Sequence, residues 1–256
     1  MPAALVTGGA TRLGKAMALY LAGRGYDVAV HYNSNKQAAE DVAAECGSGS
    51  VALHADLLDE KATQTLLGNA SMMLDQPITV LVNNASIFEY DTIQTATRDS
   101  WDRHMGSNLR APFVLTQALA AQDLAMTQDE NGEPVAAALV VNMIDQRVRK
   151  LTPEFMTCTI AKLGLWALTQ TAAQGLAPRV RVNAIGPGPT LQGTRQSDGH
   201  FNRQRSSTVL KRGANPSDIT AALGYFMDAP AVTGQLLCVD GGQHLGWQTP
   251  DILGVE

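Results

Sequence analysis

Three cysteines in 256 residues, Cys46, Cys158 and Cys238, are too few and too scattered for a disulfide framework or a metal knuckle. Positive charge is also scarce. The 19 Lys and Arg are outnumbered by 24 Asp and Glu, the formal charge is −5, and no basic run overrides it, which argues against a nucleic-acid partner. Long apolar stretches are missing: none approaches a membrane span, and the first residues enter a strand without a charged n-region and apolar h-region. A cytoplasmic protein with no membrane partner is expected. What is present is a 45% hydrophobic content over a length usual for one α/β unit, enough for a large core without a division into domains.

Strand-like runs at Ala3 to Val6, Asp27 to Tyr32, Val51 to His54, Ile78 to Val82, Ala136 to Asn142, Val180 to Ala184 and Gln235 to Val239 alternate with helical segments. That rhythm predicts a doubly wound parallel sheet in three layers, with helices on both faces. Thr127 to Pro134 is polar and turn-rich and reads as a solvent loop. Gln192 to Asn215 is polar and basic, with Arg195, Arg203, Arg205, Lys211 and Arg212, and reads either as a substrate lid or as a mobile surface loop.

The first apolar run ends in Thr7-Gly8-Gly9-Ala10-Thr11-Arg12-Leu13-Gly14 and a helical pattern follows. Glycines admit close approach of a pyrophosphate, and a helix N-terminus favours its charge, so the loop is a candidate dinucleotide cradle. The bland reading is an ordinary tight βα turn. After the second strand stand His31-Tyr32-Asn33-Ser34-Asn35-Lys36. No carboxylate is there to repel a 2′-phosphate, and Asn33, Ser34 and Lys36 offer donors, which favours NADP over NAD; the competing reading is a polar loop that contacts nothing.

The ordered set Thr7-Gly8…Gly14, Asp56 after the third strand, Asn83-Asn84-Ala85 after the fourth, Asn108 in a long helix, Lys162, and Pro187-Gly188 after the sixth resembles the short-chain dehydrogenase/reductase family over nearly the whole chain. Within it the sequence is similar to the pteridine reductase branch. The marks are Arg12, His31-Tyr32, Asn83-Asn84-Ala85-Ser86 with Phe88, Gly106-Ser107-Asn108, and Asn142-Met143-Ile144-Asp145. The resemblance implies a single Rossmann-type domain that uses NADP(H) and acts on a small molecule, and a homotetramer that packs the helix of Lys162 and its predecessor against copies. It implies a cofactor set of Gly8, Arg12, Leu13, Gly14, Tyr32, Asn33, Ser34, Asp56, Leu57, Asn83, Ala85, Lys162, Pro187 and Gly188, with Asp56 at the adenine and Pro187 to Thr190 at the nicotinamide. Residue by residue, Asp56 capping a helix, Asn84 fixing a turn and Pro187-Gly188 ending a strand are the alternatives.

For the substrate, Ser86, Phe88 and Asp145 stand out: Phe88 can stack on a flat heterocycle, and Asp145 can accept from a 2-amino-pyrimidine edge or relay a proton. Arg12 is a candidate for the phosphates or the electron-rich edge of a pterin. The competing reading makes Phe88 core, Arg12 a surface ion-pair residue and Asp145 a post-strand cap.

Thr152-Pro153-Glu154 predicts a helix start, N-cap, Pro at N1 and an early acid, with the helix running to about Leu176. Cys158 and Lys162 then share one face at i and i+4. The family carries Tyr, the proton donor, where this chain has Cys158, thirteen residues after Asp145, the branch's own spacing between its Asp and its Tyr. Catalytic candidates are therefore Asp145, Cys158, Lys162 and Asn108. A free thiol, with a pKa near 8.5 against about 10 for a phenol, is acidic enough, more so beside a cation. Reach is the obstacle, since sulfur sits one bond beyond Cβ; a water held by Asp145, Lys162 or the ribose hydroxyl can bridge the gap. Three readings stand: an NADPH-dependent pterin reductase, a carbonyl reductase with a diverged acid, and a nucleotide-binding or regulatory homologue whose catalysis is lost. The tail from Trp247 to Glu256 is a candidate arm into a neighbour's pocket or a frayed end.

Overall fold

A computed structural model describes residues 1–193 and 196–249 of the chain. Seven strands form one parallel sheet: β1 (Ala3–Val6), β2 (Asp27–Tyr32), β3 (Val51–His54), β4 (Ile78–Asn83), β7 (Ala138–Met143), β8 (Val180–Pro187) and β9 (Leu236–Val239), in the order 3-2-1-4-7-8-9. Strands buried on both faces must be apolar at almost every position, as they are here. In β1, Ala4 and Val6 face a layer holding α1 (Arg12–Gly23), α2 (Lys36–Cys46) and α8 (Pro216–Asp228), while Ala3 and Leu5 face α3 (Glu60–Leu74), α5 (Ala111–Ala120) and α6 (Met156–Leu176). The strand order reverses between β1 and β4. Their carboxyl ends therefore splay apart into the crevice where such sheets hold ligands. Among the described residues no helix is long and apolar enough to cross a membrane, and no group of three or more His, Cys, Asp and Glu is placed to hold a metal ion.

Several predicted boundaries move. The polar loop after α5 contains a small hairpin, β5 (Thr127–Gln128) with β6 (Pro134–Val135), turned at Gly132 with φ +79°. The central strand consequently begins at Ala138, not Ala136. Strand β8 runs on to Pro187, whose missing N–H suits the last position of a ladder. The polar segment beyond it carries α7 (Asp198–Ser206), N-capped by the Ser197 hydroxyl. Arg205 in that helix is committed to structure, donating to the carbonyls of Pro189, Thr190, Gly213 and Ala214, and Arg212 pairs with Asp218. Arg195 and the tail beyond Thr249 lie outside the described residues.

His31 on β2 organises the glycine loop. Its Nδ1 accepts the Gly8 N–H at 2.9 Å, its Nε2 donates to the Ala55 carbonyl at 3.0 Å, and its own carbonyl accepts the Gly9 N–H. Burial holds the imidazole neutral, with its pKa lowered to about 4 from 6.5. Because the folded pKa lies below the unfolded one, unfolded chains take up protons first as pH falls, and stability drops between about 6.5 and about 4. The expected loss at pH 5 relative to pH 8 is about 2 kcal/mol. Urea unfolding at the two pH values checks it, and His31→Gln should lose that part of the slope; an unchanged slope would remove His31 as its source.

Candidate active site

A cavity of about 890 Å³ opens at the carboxyl ends of β1, β4, β7 and β8. The glycine loop forms one side. Gly8 lies at φ +60°, where L side chains are strained, and a Cβ on Gly14 would overlap the Gly8 carbonyl oxygen and stand 2.7 Å from Asn84 Nδ2. Thr11 makes no side-chain cap to α1, which leaves the first-turn N–H groups of that helix available to an anion. Arg12, itself at φ +53°, lines the cavity and donates to the carbonyls of Leu191 and Gln192 at 3.0 and 2.8 Å. It ties the glycine loop to the segment after β8 and makes no ion pair with any described residue. Leu13 lines the same side.

Asn83 and Asn84 part company. Asn83 turns into the sheet, where it is buried and donates to Asn142 Oδ1 at 2.8 Å; Asn142 in turn donates to the Thr169 hydroxyl, and Asn83 Oδ1 is buried without a partner. Asn84 lines the cavity and donates to the carbonyls of Thr7 and Gly8, with Thr7 Oγ1 accepting the N–H groups of Asn84 and Ala85. The turn-fixing role of Asn84 thus coexists with a place at the site. Tyr32, Asn33, Ser34, Asp56 and Leu57 lie outside the cavity wall, at the ends of β2 and β3, whose registers bring Tyr32 beside His54. Asn33 and Ser34 are exposed, Asp56 accepts the Leu58 N–H, and Lys36 is paired with Glu40 at 3.5 Å. Asp56 caps a turn; the cap of α3 is Asp59.

The helix that carries Cys158 and Lys162 starts later than its sequence suggests. Thr152-Pro153-Glu154 is not its N-terminus; α6 begins at Met156, after Phe155 in the left-handed region at φ +54°. The cap comes from outside: Asp91 Oδ1 accepts the Thr157 N–H at 3.1 Å, its Oδ2 accepts the Thr157 hydroxyl, and its carbonyl accepts the Met156 N–H. Buried His104 and half-buried Ser100 complete this cluster, each within hydrogen-bond distance. These bonds hold the Asp91 carboxyl below its ordinary pKa although burial alone raises it. The strap from Ser86 to Asp91 is thereby clamped to the first turn of α6, beside Cys158.

Cys158 is 3% exposed, with Sγ 3.7 Å from the Ile87 carbonyl and 3.6 Å from Asn108 Nδ2. Asn108 sits in a π-helical turn, Gly106–Arg110, between α4 (Arg98–Met105) and α5, and pairs with the Ile87 backbone through both side-chain atoms at 2.8 Å. Lys162 does lower the thiol pKa, as its spacing implies, but burial outweighs it and pushes Cys158 up to about 11. The expectation of an acidified thiol is corrected accordingly. Lys162 is buried, donates to the Met143 carbonyl at 2.7 Å, and burial lowers its pKa. Asp145 borders the same cavity; burial raises its carboxyl pKa, opposed by Arg147 and Lys162, and Oδ1 accepts the Arg147 N–H at 2.8 Å. It is a post-strand cap and a cavity group at once.

Phe88 is 47% exposed, not core, and stacks on Phe155 with ring centroids 4.3 Å apart; Tyr90 meets the other ring edge-on. Ser86 lines the cavity with Phe88, and Pro187, Gly188 and Pro189 close the far side. Gly188 has no room for a Cβ, which would stand 2.6 Å from Asp240 Cα. Residues of the segment after β8, among them Leu191, His200 and Phe201, form the remaining wall. Sequence reasoning missed Asp91, His104 and Arg147. Only Arg147 carried a local signal, its position two residues after Asp145.

A family profile described as enoyl-(acyl carrier protein) reductase matches residues 8–244. The chain is 30% identical to the uncharacterized oxidoreductase YgfF of Escherichia coli K12, over 95% of this chain and 100% of that protein. It is 29% identical to the 3-oxoacyl-[acyl-carrier-protein] reductase FabG of Staphylococcus aureus, over 94% and 98%. Its fold superposes with a TM-score of 0.89 on FolM alternative dihydrofolate reductase 1 from Brucella canis complexed with NADP, 40% identical and covering 98% of this chain and 97% of that one.

Proposed function

The chain belongs to the short-chain dehydrogenase/reductase family of oxidoreductases, and from that premise we propose that it reduces a pterin-type heterocycle with NADPH, taking the proton from Asp145 and not from residue 158. NADP(H) fits the residues present. The uncapped start of α1, the Gly8 and Gly14 positions that exclude a side chain, and the carboxylate-free run Tyr32 to Asn35 suit a dinucleotide with a 2′-phosphate. The NADP complex of the 40% identical Brucella protein supports the same cofactor. When bound, it supplies the hydride.

The observation that carries the reading is the contrast between two acids. Both line the cavity, but the thiol of Cys158 is pushed up to about 11 and faces the Ile87 carbonyl, whereas the Asp145 carboxyl has its pKa raised towards the working range of an acid. Asp145 gives its proton to the ring nitrogen next to the carbon that is reduced, and takes another from solvent through the cavity. Lys162, anchored on Met143, has two further N–H groups for the cofactor ribose. Asn108 holds the Ile87 backbone, and with it the strap carrying Ser86 and Phe88. The segment after β8 acts as the lid. The same reading places the protein in the cytoplasm as a homotetramer, joined through the helices that expose Trp101, Phe113 and Ile160.

NADPH oxidation with dihydrobiopterin and with a simple diketone, by this chain and by Cys158→Tyr, tests the proposal. Turnover of the pterin and not the diketone by the unaltered chain is expected, because a ketone oxygen needs the positioned acid that residue 158 no longer offers. Pterin turnover by Cys158→Tyr alone would refute the Asp145 route, and equal rates on both substrates would refute the pterin preference.

A further inference from the structure

Arg147 is half-buried in the wall of the same cavity, and its side chain has no role in the proton route through Asp145 beyond its charge. It leaves β7 two residues after Asp145, in the 3₁₀ turn Gln146–Val148, and its backbone N–H bonds to the Asp145 carboxyl, so both side chains stand on one lip. Its guanidinium carbon lies 4.4 Å from the Phe155 ring centroid and 5.4 Å from that of Phe88. Two stacked phenyl rings thus fix the position of a rigid, planar fork. Its Nη1 is buried and has no hydrogen-bond partner, and among the described residues no carboxylate forms an ion pair with it, Asp145 acting on it only at longer range. A buried cationic donor without an acceptor is costly, and at a cavity wall the acceptor can come from an occupant.

We propose that Arg147 is a specificity-determining residue of this site, donating from Nη1 to a ring carbonyl of a planar heterocyclic substrate held against the Phe88–Phe155 pair. The inference rests on the pterin reading and narrows it to oxo-substituted rings. A ring with an amino group at that position presents a donor to a donor and is rejected.

The test is binding of folate, a 4-oxo pterin, and aminopterin, its 4-amino counterpart, to the NADP complex by calorimetry, for the native chain, Arg147→Met and Arg147→Lys. The native chain should prefer folate by about tenfold or more, the value of a hydrogen bond to a charged group. Arg147→Met should lose that preference by weakening folate alone, with NADP affinity within about twofold; Arg147→Lys, which keeps a donor, should retain part of it. Unchanged folate binding by Arg147→Met, or equal weakening of both ligands, overturns the inference and leaves the pterin reading intact. Failure of the native chain to bind either ligand overturns the pterin reading, and the inference falls with it.

Discussion

Gly14→Ala should abolish measurable NADPH binding. The added methyl cannot be accommodated by a side-chain rotation, because it would meet the Gly8 carbonyl oxygen and stand 2.7 Å from Asn84 Nδ2, the group that holds that loop. Relief requires α1 to move away from β1, and the N–H groups at its start move with it. Overpacking of this kind costs about 1–3 kcal/mol in stability. A displacement of a few tenths of an ångström in an anion cradle should lower affinity by at least about a hundredfold, since phosphate contacts depend on aligned donors. Gly23→Ala is the matched control in the same helix: nothing lies within 4 Å of its added methyl, and helix propensity should make it more stable by about 0.5–1 kcal/mol. Fluorescence titration with NADPH and urea unfolding of both variants give the comparison. Native affinity in Gly14→Ala would show that the loop does not carry the cofactor.

Asp145→Asn should lower kcat on a dihydropterin by about 10²–10⁴, the usual worth of a positioned acid, while NADPH affinity stays near native. The amide is isosteric and can still accept the Arg147 N–H, so the cap on the 3₁₀ turn survives and the loss reports on the proton. Steady-state and single-turnover rates distinguish the cases. A fall in NADPH affinity with kcat preserved would make Asp145 a structural cap only.

How far the sequence revealed this arrangement depended on whether each determinant was local. The strand–glycine loop–helix at the N-terminus was legible because Gly8 and Gly14 act within a few residues of the strand they follow, and the continuous apolar strands follow from burial on both faces. The start of α6 was not, because its cap is Asp91, 66 residues away, and Phe155 breaks the turn that Thr152 and Pro153 would have begun. The acidity of Cys158 was misjudged for a related reason: the cation at i+4 is visible in the sequence, but the burial that outweighs it depends on Ile87 and Asn108 coming from two other elements. Asn83 and Asn84 are adjacent and chemically alike, and only the pairing of β4 with β7 decides that Asn83 goes to Asn142 and Asn84 to the loop. His31 looked like a family mark; its bond to the Gly8 N–H gives that mark a physical role.

Which group gives up the proton is measured directly by the pH profile of kcat for NADPH-dependent reduction of a dihydropterin. Asp145, with its carboxyl pKa raised by burial, must be protonated to act, so kcat should be level on the acid side and fall about tenfold per pH unit once pH passes that raised value. A Cys158 donor, titrating at about 11, would keep the profile flat through alkaline pH. A decline that vanishes in Asp145→Asn supports the carboxyl; a profile that stays flat up to the Cys158 range near 11, or the same profile in the Asn variant, would contradict it.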